Sequence, residues 1–128
     1  MRIEKFEDLN TWQEARKLSS IIYDATNKYA FKKDFDLARQ LRRSSVSVMA
    51  NIAEGFGRYT LKDSKQFYII ARGSLLETRS HLYVALDRGL INQEEFNIIT
   101  EQCEKTSKIL SGLINSTANL MKQKQLNS

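Results

Sequence analysis

Reactive side chains are scarce in this chain of 128 residues, and their spacing argues against the reactions they would serve. The one histidine, His81, has Glu77 four residues before it. A di-iron carboxylate centre needs a Glu-x-x-His pair from each of two helices and a glutamate from each of two others. One histidine cannot supply two such pairs, so that centre is excluded within one chain. His81 falls on the apolar side of its segment beside Ser74 and Thr78, and a hydrogen-bonded core histidine is expected. The one cysteine, Cys103, excludes an internal disulfide and a cysteine-based zinc site. It lies within an apolar seam and reads as a small buried hydrophobe, with no spacing that pairs it to His81. Glu54 and Glu77 could act as acid and base only across a cleft that neighbouring bundle helices do not open. They are expected instead to pair with arginines such as Arg43, Arg72 or Arg79. Gly55 and Gly57 follow no strand and precede no lysine–serine pair, so they form no phosphate loop. The expectation is a non-enzyme, with no catalytic residue, metal, cofactor or small-molecule substrate.

Basic residues are the abundant chemistry. Lys and Arg number 20 against 15 acids, a net charge of +5, which weakly favours a polyanionic partner. Four arginines fall in one stretch, Leu37 to Arg58. Read as a helix, it places Leu37, Leu41, Ser45, Val48 and Ile52 on one arc. Ala38, Val46, Met49 and Ala53 extend the arc, interrupted by Arg42. Arg39, Arg43 and Glu54 share the opposite face, while Gln40, Ser47, Asn51 and Arg58 line its edge. That apolar arc is nearly twice the width one bundle contact needs. Either the helix touches two neighbours in its own bundle, or it also meets another subunit.

Helices must position these residues. The chain has no proline and five glycines, a poor supply for sheet turns and a natural one for long helices. At this length roughly 68% of the unfolded surface can be buried, enough for one domain over residues 1–128. Residues 1–8 read as a charged lead-in, with Ile3, Phe6 and Leu9 spaced to dock on a helix. The first helix is expected from Asn10 to Tyr29, capped by Asn10 or Thr11, with Trp12, Ala15, Leu18, Ile22, Ala25 and Tyr29 as its stripe. Ala30 to Asp36 forms a loop whose Lys32 and Lys33 are either solvated or phosphate contacts, and Asp34 or Asp36 caps the second helix.

The third helix runs to Arg88, with Gly89 closing it. Its main face is Phe67, Ile70, Ala71, Ser74, Leu75, Thr78, Leu82 and Ala85. A second apolar stripe, Ile69, Leu76 and Tyr83, points almost the opposite way and favours a subunit contact. Gly73 and Ser74 would admit a close helix. Asn92 and Glu95 form a capping box for the fourth helix, whose seam is Phe96, Ile99, Cys103, Thr106, Leu110, Leu113, Thr117 and Leu120. Residues 122–128 lose the pattern and are expected to fray. The fold class is all-α, an antiparallel four-helix bundle. With no membrane-length apolar run and no secretory signal, a cytoplasmic setting is expected.

The sequence resembles the bacterial four-helix-bundle proteins encoded in intervening sequences of 23S rRNA genes. The likeness lies in Phe6-Glu7-Asp8-Leu9, Trp12-Gln13 and Ala15, then Leu37, Gln40-Leu41-Arg42-Arg43 and Ser47. It continues in Asn51-Ile52-Ala53-Glu54-Gly55, Gly57-Arg58, Phe67, Ala71, Gly73-Ser74-Leu75 and Glu77, and in Leu110 and Gly112-Leu113. The chain departs where that family usually has proline, at Ala30 and Met49, and where it has glycine, at Asp36. The resemblance implies an antiparallel up-down-up-down bundle that assembles into a ring, typically a homopentamer, and a kinship with basic accessory rings of diversity-generating retroelements, which engage reverse transcriptase and nucleic acid.

The leading expectation is therefore an oligomeric RNA- or DNA-binding protein using Arg39, Arg43, Arg58 and Lys62, with Lys32 and Lys33 as secondary contacts. Arg42, Asn51, Glu54 and Glu77 are assigned to a structural polar network. Val46, Met49, Ala53, Ile69, Leu76 and Tyr83 are assigned to the oligomer interface. No aromatic platform is evident beside the basic residues. The rival is a scaffold that binds a protein partner such as a polymerase and makes no nucleic-acid contact.

Overall fold

The computed structural model describes residues 2–127. Four helices pack as a bundle: α1 (Asn10–Thr26), α2 (Phe35–Phe56), α3 (Leu61–Asp87) and α4 (Gln93–Leu126). Each helix packs against two neighbours, α1 on α2 and α4, α3 on α2 and α4, with the α2–α3 contact the most extensive. Two pairs run antiparallel, as their registers show. Ser44 meets Thr78 and Ser47 meets Ser74 across α2–α3, while Glu14 meets Gln102 and Lys28 meets Glu95 across α1–α4.

The helix ends follow local chemistry. Asp34 caps α2 by accepting from Leu37 N–H at 3.0 Å, and Thr60 caps α3 by accepting from Asp63 N–H at 3.1 Å. Asn92 and Glu95 make the expected reciprocal capping box on α4. Gly89, at φ +71°, closes α3 with the Leu90-to-Ala85 and Gly89-to-Leu86 bonds of a Schellman motif. Helix α1 differs from expectation at both ends. Leu9 stands at its N-cap without a side-chain cap, and Gln13 instead donates to the Glu7 carbonyl at 3.0 Å. It ends at Thr26, so Tyr29 leaves the stripe for a 3-10 turn, Tyr29–Lys33. Helix α2 runs unbroken through Met49. Residues 122–126, expected to fray, are the last turns of α4, since Lys, Gln and Leu are good helix formers even when solvated. Ser128 lies outside the described residues.

The core is built from Leu18, Ile22, Leu41, Val48, Ile52, Leu75, Leu82, Ile99 and Leu110, all essentially solvent-free. On α3 Ala71, Leu75, Thr78, Leu82 and Ala85 are buried as expected, and the face differs only toward the helix start. Tyr68 is buried, Phe67 is half-buried and Ile70 is exposed, because Gly55 leaves room for the Tyr68 ring. On α4 the buried line steps from Leu110 to Ile114, leaving Leu113 partly buried and Leu120 exposed. A straight helix of 3.6 residues per turn drifts off a strict heptad in this way.

Buried polar groups tie the helices together. Thr78 donates to Ser44 at 2.8 Å, and the Ser47 and Ser74 hydroxyls share a 2.9 Å hydrogen bond. Glu14 accepts from Lys17 within α1 at 3.0 Å and, across α1–α4, from Gln102 at 3.1 Å and Lys105 at 3.4 Å. Lys17 and Gln102, aided by Lys105 and opposed by burial, hold the Glu14 carboxyl below its ordinary value. A depressed folded value means the carboxylate stabilises the fold fully above its unfolded pKa, and loses that effect as pH falls through the lowered folded one. Glu14→Gln is therefore expected to flatten the acid limb of stability, measured by urea unfolding between about pH 6 and pH 2. An unchanged acid slope would remove Glu14 from that linkage.

Candidate nucleic-acid interface

The end of α1, the 3-10 turn and the start of α2 enclose an open groove of about 470 Å³. Local sequence builds it. The Thr26 hydroxyl turns back to the Ile22 carbonyl at 2.7 Å as α1 ends, and Asp34 restarts the helix after the turn. Phe31, buried at 2% exposure, pins the turn to the core. The groove is lined by Thr26, Asn27, Lys28, Phe31, Lys32, Phe35, Ala38, Arg39 and Arg42. Four of these are cations and none is a carboxylate. Acids reach it only from outside, where Glu95 pairs with Lys28 and Asp36 accepts from Arg39 at 3.4 Å. The Lys28 ammonium beside Glu95 lowers that carboxyl's pKa, against the effect of burial. Arg42 is the most constrained cation. Its Nε donates to Thr26 Oγ1 at 2.8 Å, and its guanidinium lies 4.7 Å from the Tyr23 ring centroid.

The six residues expected to bind nucleic acid do not share one surface. Lys32 and Arg39 line the groove, and Lys33 and Arg43 are exposed on the same turn and helix. Arg58 and Lys62 lie at the opposite end of the bundle, since Arg39 and Arg58 are separated by about 28 Å of helix. Arg58 is also engaged, paired with Glu54 at 3.0 Å and stacked 4.3 Å from the Phe67 ring centroid. The four residues assigned to one polar network are likewise dispersed. Arg42 joins α1 to α2, Asn51 donates to the Ser47 carbonyl at 2.8 Å, and Glu54 pairs with Arg58. Glu77 meets His81 at 3.4 Å on the surface. His81 is thus a partly exposed edge residue and not a core histidine. Glu54 pairs with an arginine as expected, Arg58 just past the end of α2, whereas Glu77 meets His81 within α3; in both cases the i to i+4 partner is the near one.

The expected interface residues form two stripes. Val46, Met49 and Ala53 follow 3-4 spacing on α2; Val46 is exposed, while Met49 packs partly on the core. Ile69, Leu76 and Tyr83 form a heptad stripe on α3 beside α4, where Tyr83 packs edge-on against Phe96 at 4.9 Å. Leu76 and Tyr83 are 58% and 55% exposed, and Ile69 packs partly on the core. Cys103 is fully buried, and burial pushes its thiol up to about 12.

Two groove residues escape the sequence reading: Lys28, which falls in the last turn of the expected first helix, and Phe35, which falls in the expected loop. The available signal was the i, i+4, i+7 spacing of Phe35, Arg39 and Arg42, which aligns them once α2 starts at Phe35. Two exposed rings stand near these cations: Phe35 lines the groove and Tyr29 lies beneath Lys32, each 74% exposed.

Among the described residues no group of three His, Cys, Asp or Glu side chains is placed to hold a metal ion. No helix among them is long and apolar enough to cross a membrane. The family model described as 23S rRNA-intervening sequence protein matches residues 7–112. The fold is similar to a crystal structure of a protein of unknown function from the S23 ribosomal protein family of Bacteroides thetaiotaomicron. That likeness has a TM-score of 0.74 at 23% identity, over 81% of this chain and 97% of that one. No curated protein matches the sequence.

Proposed function

The chain belongs to the 23S rRNA-intervening sequence protein family, and from that premise we propose that it is a non-enzymatic, cytoplasmic homo-oligomer that binds structured RNA. The observation that carries the proposal is the groove lined by four cations and no carboxylate. Phosphate oxygens are the complementary ligand for such a surface. The finer architecture belongs to the same proposal: up-down-up-down bundles closed into a ring, a homopentamer by family resemblance. A closed ring needs two different faces that meet head to tail. The Val46 stripe on α2 and the Leu76–Tyr83 stripe on α3 are two such faces, on different sides of the bundle. One groove per subunit, repeated around a ring, would add avidity to modest single contacts.

Light scattering with a structured RNA, at two salt concentrations, tests the reading. A multimer is expected whose RNA affinity falls between about 50 and 200 mM salt, by roughly three- to fourfold for each phosphate contacted. Affinity that ignores salt, or no RNA binding at either salt, would overturn it. The second reading, a scaffold for a protein partner, is favoured by the exposure of Leu76 and Tyr83 on α3. It predicts a multimer that ignores RNA at every salt.

A further inference from the structure

The groove holds more than phosphate chemistry. Phe35, Arg39 and Arg42 line one wall from a single face of α2, and Lys32 stands on the other, its ammonium 5.4 Å from the Tyr29 ring centroid. Phe31 and Ala38 are buried beneath them. Phe35 lines the groove with most of its surface in water, and Tyr29 lies as exposed beside Lys32. A site that met only duplex phosphates would have no use for these rings, since the bases of a duplex are stacked on one another. An unpaired base offers a free π-face, which aromatic side chains beside a basic groove bind without regard to sequence. A volume of about 470 Å³ is within the range of sites that enclose a small ligand, and suits one nucleotide rather than a helix.

We propose that this groove seats one unpaired nucleotide of a structured RNA, its base stacked on Phe35 and its phosphate held by Lys32, Arg39 and Arg42. The proposal rests on the nucleic-acid reading above and narrows it to loops, bulges and single-stranded ends. Arg42 has its Nε committed to Thr26 and its plane to Tyr23, so its guanidinium is oriented before the phosphate arrives. Lys28, already paired with Glu95, contributes field rather than direct contact.

Two RNAs test it on the full chain: a blunt duplex, and the same duplex with one bulged nucleotide bearing a fluorescent purine analogue. The bulged RNA is expected to bind at least about tenfold more tightly at equal salt, with its fluorescence quenched on stacking. Phe35→Ala should remove both the preference and the quenching, while particle mass and melting temperature stay unchanged. Equal, salt-sensitive affinity for the two RNAs overturns the unpaired-nucleotide assignment and leaves the basic-surface reading standing. A preference that survives Phe35→Ala also overturns it. A fall in particle mass for Phe35→Ala overturns it by assigning the ring to a subunit contact. Failure to bind either RNA overturns both readings.

Discussion

Replacing Lys32 and Arg39 together by glutamate is expected to weaken structured-RNA binding about a hundredfold at moderate salt, and to lower the salt slope by about two. The matching replacement of Arg58 and Lys62 is expected to change affinity less than about threefold. The contrast follows from where α2 delivers its charges. Lys32 and Arg39 line the groove beside Arg42, whereas Arg58 and Lys62 lie beyond the far end of the helix, with Arg58 already held by Glu54 and Phe67. All four side chains are exposed, so neither variant should disturb the core. The Arg39–Asp36 ion pair lost in the first variant is a surface contact of about 0–1 kcal/mol, too small to unfold the protein. Unchanged melting curves with the expected split in affinity would place the interface at the α1–α2 end. Equal losses in the two variants would mean a diffuse field without a site, and greater loss from Arg58 and Lys62 would move the site to the opposite end.

The largest effect on stability is expected at Gly55. A Cβ at this position would stand 2.6 Å from Tyr68 Cε1 and 3.0 Å from the Ser64 carbonyl oxygen. Tyr68 is 4% exposed and the Ser64 oxygen is backbone, so neither can move aside cheaply. Gly55→Leu therefore forces α2 and α3 apart where they pack most extensively, and is expected to cost about 3 kcal/mol in urea unfolding. The control is Gly73→Ala in α3, where an added Cβ meets nothing within 4 Å. There only helix propensity changes, and a gain of about 1 kcal/mol is expected. A Gly55→Leu variant as stable as the parent would show that the helices do not approach this closely. If Gly73→Ala lowered the mass of the assembled particle, Gly73 would lie in a subunit contact.

What the sequence determined by itself is what depends on neighbours a few residues away. Asn92 and Glu95 satisfy the free N–H groups of one helical turn, so their capping box was legible from identity and spacing. Gly89 relieves the Cβ strain of a left-handed C′ residue for the same local reason. Helical periodicity placed Leu41, Val48, Ile52, Leu75, Leu82, Ile99 and Leu110 toward a core, because a helix's apolar face is fixed by its own geometry. The Ile69–Leu76–Tyr83 stripe was legible on the same grounds.

Only the tertiary structure decided how far each face turns and which charges meet. The Tyr68 ring is buried because another helix presents a glycine to it, and no property of α3 alone says so. Helix α1 stops at Thr26, where the same hydroxyl takes a hydrogen bond from Arg42 sixteen residues later. Arg39 and Arg58 share one helical net in the sequence, yet α2 ends at Phe56, and its length sets Arg58 beyond the end opposite Arg39. Lys28 on the link after α1, Lys32 on the 3-10 turn and Phe35 on α2 become one groove only when that turn folds back on the core through Phe31. Periodicity reports the direction of a side chain about its own axis. A site depends on the distance between axes, and packing sets that distance.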